Sequence, residues 1–305
     1  MAYDTIMAFH DRFCNHILPD KVHLLNVAFL VSDMRMEFGG CAGNIAYNLK
    51  LLGGNPYICA GMGKDSQRYL AHLDHHNIDT SEIKIYADTF TAQAFITTDK
   101  DGNQITVFHP GAMSHAVPPL NSVGASLALV GPASKETMQK HMQQLHQAGI
   151  PTIFDLGQAM PLFNGEDLTD MLAQSSYIAA NAYEAEVIAQ RTKMSFDQLA
   201  QHVEALIITR GSEGSSIYAA GEVHSIRPVK VDNPMDPTGC GDAYRAGLLY
   251  GISHGWDWRS TGQLASLLGA IKVASQGTQN HHFTRESLAR DYAAAFGEDL
   301  KWLVA

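Results

Sequence analysis

The chain has 305 residues, 46% of them apolar and 17% charged, with a formal net charge of −10. That is enough core for one large α/β domain or two modest ones. The acidic balance excludes a general nucleic-acid binder, which would carry a basic stripe, and no apolar run is long enough to span a membrane. The opening MAYDTIMAFHDRF has acidic residues and no basic head, unlike a secretory signal. The cysteines at 14, 41, 59 and 240 form no CxxC pair and read as free thiols of a reducing cytoplasm. Among fifteen histidines, His75-His76 and His281-His282 are adjacent rather than turn-spaced, which favours surface or capping roles over a shared metal.

In chain order, NVAFLVSD (26–33) is a strand candidate, and FGGCAGNIAYNLKLLGG (38–54) is a glycine turn opening a helix closed by Gly53-Gly54. PYICAG (56–61) follows as a strand and DSQRYLAHLDHH (65–76) as a helix. TAQAFITTD (91–99) and NQITVFHPGA (103–112) alternate polar and apolar residues around Asp101-Gly102-Asn103, the pattern of a hairpin covered on one side. From about residue 123 short apolar strands alternate with amphipathic helices: SLALVGP, TIFDLG, YIAAN and ALIITRG each precede one, except that ALIITRG leads into the hairpin SSIYAAGEVHSI. VKVDNP reads as a strand ending in a turn, a long helix covers 257–275, and a last one lies near 284–296. This alternation specifies a mainly parallel sheet wrapped on both faces. The chain 1–305 is expected to form a single domain, with a small β lid from about 12–36 and 84–112.

The stretch that organises the chemistry is Asp236-Pro237-Thr238-Gly239-Cys240-Gly241-Asp242, after which Tyr244, Leu248, Leu249 and Ile252 recur at helical spacing. A Gly-x-Gly turn feeding a helix leaves backbone N–H groups without intrahelical partners, and with the helix dipole these make an anion site. Asp242 there is either a dipole-complementing first-turn residue or a base that deprotonates a hydroxyl attacking a phosphoryl group. Other polar groups fall at further strand-to-helix joints, where ligands of parallel sheets bind. Asn181 and Glu184 follow YIAAN, Thr209-Arg210-Gly211-Ser212-Glu213-Gly214 ends ALIIT, and Gly277-Thr278-Gln279-Asn280-His281 follows the long helix. No GxxxxGK[ST] is present, and the two Gly-x-Gly turns lack the third glycine of a dinucleotide fingerprint.

DPTGCGDAYRAG resembles the second signature of the ribokinase-like (PfkB) carbohydrate and nucleoside kinases, and Gly39, Gly40, Asn44, Ala46, Gly53 and Gly63 are similar in spacing to the first. NIAYNLKLLGG, GNQITVFHPGAM and SQGTQNHHFT look closest to bacterial adenosine kinases, and so to purine salvage. The resemblance implies the ribokinase-like α/β fold with a β lid, and an ATP- and Mg²⁺-dependent kinase acting on a small-molecule acceptor, cytoplasmic and bound to neither nucleic acid nor membrane. It implies Asp242 as general base and the amides of Gly239, Cys240 and Gly241 as the anion hole. ATP would meet Asn181, Glu184, Thr209, Gly211, Gly214, Gly277 and Asn280, with Glu184 holding Mg²⁺ through water. Asp236 and Thr238 resemble positions that hold K⁺.

On the acceptor side the resemblance implies Gly39, Gly40 and Asn44 around a sugar, with Asp4, or failing it Asp11, gripping two hydroxyls. Phe95 and Phe108 would stack on a purine or else serve as lid core. The lid would pair two copies in a homodimer. A first strand and glycine turn are implied ahead of the gripping aspartate, yet only three residues precede Asp4; either translation starts upstream or the sheet lacks a strand. Three activities stay open on these grounds: phosphorylation of a ribonucleoside at its 5′-hydroxyl, adenosine first; a ribose or ketohexose kinase; and a nucleotide-binding homologue without turnover.

Overall fold

The computed structural model describes residues 1–300 except 25, 116, 118 and 121–123. Its larger sheet has six strands in the order β12-β11-β10-β9-β8-β7. β7 (Ala128–Val130), β8 (Thr152–Phe154), β9 (Tyr177–Asn181) and β10 (Ala205–Thr209) are parallel, and β11 (Ser215–Ala219) and β12 (Glu222–Ile226) close the sheet as antiparallel hairpin strands. Residues of the parallel strands alternate between two cores. Phe154, Ile178, Leu206 and Ile208 point toward α3 (Lys135–Gln147), α4 (Gly165–Ala173), α5 (Ala182–Thr192) and α6 (Phe196–Gln201). Ile153, Ala179, Ala205 and Ile207 point toward α1 (Cys41–Leu51), α7 (Cys240–Ser253) and α8 (Trp258–Val273). Runs buried on both sides are what a parallel sheet covered by two helix layers requires, and the α/β class with a mainly parallel sheet wrapped on both faces, expected from the sequence, is the one observed. α9 (Arg285–Phe296) packs outside α8.

The second sheet, in the order β2-β1-β5-β6, is built from β1 (Ala2–Ala8), β2 (Asp33–Gly39), β5 (Ala92–Thr98) and β6 (Gln104–His109). Between them β3 (Ala60–Gly63) and β4 (Ile83–Tyr86) pair as a separate two-stranded parallel sheet over α2 (Gln67–His75). Among the described residues no helix is long and apolar enough to cross a membrane.

Several segments differ from the sequence reading, among them PYICAG (56–61), where the strand covers Ala60–Gly63 instead. The small sheet takes in residues 2–8, outside the expected 12–36 and 84–112, while 83–86 leaves it to pair with β3. NVAFLVSD becomes a strand only from Asp33, because Phe29 turns to pack on Phe9 and Phe13 at ring separations of 4.9 and 5.1 Å. VKVDNP is not a strand: prolines at 228, 234 and 237 break the ladder, and the amides of Met235 and Asp236 bond the Val273 carbonyl at the end of α8.

Candidate active site

α7 begins at the glycine turn, with Gly239 in the left-handed region at φ 79° and Asp242 in the first helical turn. A side chain at 239 is barred by that φ, and its Cβ would crowd Thr278 at 3.1 Å. The Cys240 N–H, expected in the anion hole, bonds the Pro237 carbonyl at 3.2 Å. The amides of Gly241 and Asp242 are then the donors that the helix start leaves without intrahelical acceptors. Asp242 is partly buried, and desolvation pushes its carboxyl above the usual carboxylate range against the opposing pull of Asn44 and Arg245. A base with a raised pKa is better matched to proton transfer near neutral pH than an ordinary aspartate.

Asn44 comes to this site from the first turns of α1, which the positive φ of Gly40 (83°) sets directly behind β2. Its Nδ2 donates to Asp242 Oδ2 at 2.7 Å. Its Oδ1 accepts from Gln279 Nε2 at 2.9 Å, and Gln279 Oε1 accepts from His72 Nε2 at 3.0 Å, which makes Nε2 the protonated ring nitrogen. Tyr69 accepts from the same Gln279 amide at 2.6 Å and donates to the Gly39 carbonyl at 2.8 Å. The direction of every bond is thereby determined, from His72 through Gln279 and Asn44 to the carboxylate. His281, expected at the surface, is buried beside this chain; its Nε2 donates to Asn48 Oδ1 at 2.8 Å, and burial pushes its pKa down to about 4.

Asp4 is the aspartate that the fold brings to the site, although it lies within β1 rather than at a strand end. Burial raises its pKa to about 6, helped by the charges of Asp236, Asp242 and Glu37, and a Cβ on Gly39 would come within 2.5 Å of its Oδ2. Asp11 is not at the site. Its carboxylate is tied to the Arg12 amide, Asn15 and His16 in an exposed turn, and those bonds hold its pKa down at about 2.

Cross-strand register sorts the two phenylalanines. Glu37, Asp4, Ala94 and Phe108 lie opposite one another and share a face, whereas Met36, Thr5, Phe95 and Val107 share the other. Phe108 is therefore on the face of Asp4, and Phe95 is turned away from it, which goes against the stacking alternative for that residue.

At the ends of β9 and β10, Asn181 and Thr209 lie side by side in register. Asn181 and Glu184 cap α5 reciprocally, each side chain accepting the other's backbone N–H at 2.8 Å, so their NxxE spacing is that of a capping box. Glu184 also stands 3.9 Å from Arg245, whose guanidinium pairs with the buried Asp155 and donates to the Gly241 carbonyl at 3.1 Å. Arg245 and Asp155 were not singled out in the sequence; their signal is a charge inside an otherwise apolar run, in AYRAGLLYG and in TIFDLG. Gly211 lies open at φ 56°, while Gly214 is pressed against the Ile226 carbonyl of β12, a packing role. Beyond α8, Gly277 donates to Asp236 Oδ2 at 3.0 Å and Asn280 donates to Glu37 Oε2 at 2.9 Å, which draws this loop, expected over ATP, to β2 and the glycine turn.

Comparison with known proteins agrees with this architecture. Residues 3–284 match the pfkB family carbohydrate kinase model. A Methanocaldococcus jannaschii nucleoside kinase is 30% identical over 264 residues, 84% of this chain and 85% of its own. The structure of a Burkholderia thailandensis nucleoside kinase with inosine superposes with a TM-score of 0.88 at 46% identity, covering 98% of this chain and 96% of that one. The same kinase in complex with ADP-inosine gives 0.85 at 48%, covering 98% and 95%. With a family match over residues 3–284 and a relative 30% identical across 84% of its length, the chain belongs to the pfkB family of carbohydrate kinases, phosphotransferases that act on a hydroxyl acceptor.

Proposed function

We propose that this protein transfers the γ-phosphoryl group of Mg·ATP to the 5′-hydroxyl of a ribonucleoside, adenosine first. Asp242, aimed by Asn44, takes the proton as the hydroxyl oxygen bonds to phosphorus and the bond to the ADP oxygen breaks. The amides of Gly241 and Asp242 face the charge on the transferred group. Asp4 holds the ribose hydroxyls, and the lid sheet excludes water that would otherwise hydrolyse ATP.

The observation that carries the nucleoside reading is the row Glu37–Asp4–Ala94–Phe108. Phe108 is two strands from Asp4, roughly 10 Å at ordinary strand spacing, which suits an acceptor holding a ring system beyond its sugar. The relative solved with inosine supports an acceptor of that kind. Mg²⁺ neutralises phosphate charge when bound. Glu184 fits it through water, since magnesium is commonly held by one or two carboxylates, waters and the phosphates themselves. A reducing cytoplasm suits the four unpaired cysteines.

We further infer that the lid's outer face pairs two copies. Met34, Met36, Phe95, Ile105 and Val107 are exposed there, Met34 at 68% and Val107 at 62%. Size-exclusion chromatography with light scattering tests this, and a monomer at all concentrations refutes it. The acceptor is tested by ADP release with adenosine, inosine, cytidine, uridine, ribose and fructose. Turnover on sugars alone overturns the nucleoside reading, and turnover on none leaves a nucleotide-binding homologue.

A further inference from the structure

Lys272, at the end of α8, is fully enclosed, with 0% of its surface exposed. A buried ammonium without partners is strongly disfavoured, so its partners reveal its use. Nζ donates to the Asp236 carbonyl at 2.7 Å and to the Ser275 carbonyl at 3.1 Å. One oxygen belongs to the turn that carries Asp242, the other to the loop that carries Gly277 and Gln279. The Asp236 carboxylate is committed elsewhere: Oδ1 accepts from the Thr238 amide at 2.9 Å and Oδ2 from the Gly277 amide at 3.0 Å.

This is an oxygen-lined position for a monovalent cation, already filled by a covalently attached one. Asp236 and Thr238 do not fit a diffusible K⁺ beside it. Each carboxylate oxygen already accepts an amide N–H, the Asp236 carbonyl faces the ammonium, and a second positive charge would be repelled at close range. The helix end adds a favourable term, since cations are stabilised at a helix C-terminus.

We propose that Lys272 Nζ is the permanent monovalent cation of the catalytic turn. It is a positioning residue that fixes the Asp236 carbonyl, and through the Pro237–Gly239 turn the amides facing the transferred phosphoryl group, so that turnover needs no dissociable potassium. This rests on the kinase reading of the site.

The test measures ADP affinity, melting temperature and kcat in potassium chloride and in tetramethylammonium chloride at equal ionic strength. For the wild type the expected values agree within twofold. Lys272→Met, which keeps the stem and loses the charge, lowers kcat at least tenfold with a smaller change in acceptor KM. Lys272→Gly, which opens room for an ion, gains ADP affinity and melting temperature when potassium or ammonium is added. Several-fold activation of the wild type by potassium overturns the proposal, as does wild-type kcat in Lys272→Met or indifference of Lys272→Gly to both ions. If neither variant folds, the wild-type comparison decides. ADP affinity is read without an acceptor, so a wrong acceptor leaves the test intact. Failure to bind ADP in either salt overturns the kinase reading, and this proposal with it.

Discussion

Asn44 and Asp242, 198 residues apart in the chain, meet in a 2.7 Å hydrogen bond from Asn44 Nδ2 to Asp242 Oδ2. The contact joins the helix that follows the first glycine pair to the helix that follows the second, so the two halves of the candidate site share one joint. Asn44 is 3% exposed and Gln279 is 4% exposed, so the amides that hold the Asp242 carboxylate have little freedom to rotate.

Replacing Asp242 tests its proposed role as base directly. Asp242→Asn keeps the shape and the Asn44 contact region but cannot accept the proton. Turnover is expected to fall by about 10²–10⁴-fold, with ADP affinity measured by calorimetry staying within a few fold of wild type.

Gln279→Glu reverses one bond of the chain. A carboxylate at 279 accepts from Asn44, which turns the Asn44 amide and presents its oxygen to the Asp242 carboxylate. The expected result is a fall in kcat of about tenfold to a hundredfold from misplacement of the base, while Gln279→Ala, which releases Asn44 without turning it, loses less. Equal losses in the two variants would argue against an aimed amide.

Asp4 gives the site a pH dependence. Its folded pKa of about 6 exceeds the ordinary 3.8. Between those values the folded state holds a proton that the unfolded chain has released, so this group weakens folding as pH rises through about 4 to 6, and the penalty is full above that. Asp4→Asn is therefore expected to raise the melting temperature at pH 7.5 and leave it unchanged near pH 4. The variant should also raise acceptor KM and remove the fall in kcat/KM below pH 6. Gly39→Ala, whose Cβ would sit 2.5 Å from Asp4 Oδ2, should raise acceptor KM by the same route.

The Arg245–Asp155 pair is a stability element beneath the site, at 7% and 2% exposure. Arg245→Leu leaves Asp155 as a buried uncompensated charge and is expected to cost about 3–5 kcal/mol in denaturant unfolding. Removing both charges with Asp155→Leu should recover most of that. Activity should not return, because the Gly241 carbonyl loses its donor.

The sequence by itself determined the class of fold and pointed to the candidate site, because both are written in local patterns. Strand–helix alternation after residue 123 specifies the parallel sheet, and DPTGCGD specifies a helix start whose free amides attract an anion. Asp242 was legible as a site candidate for the same reason, whereas Asn44, Asp4 and Phe108 were named only through the family resemblance. Only the tertiary structure decided between Asp4 and Asp11, since both are acidic residues early in the chain and the difference is which of them crosses to Gly39. It alone turned Phe95 away from Asp4, because strand register follows from pairing rather than from composition. It alone enclosed Lys272 and Arg245, whose partners lie 36 and 90 residues distant; a charge in an apolar helix reads from sequence as an oddity, and its partners are known only once the fold brings their oxygens to it.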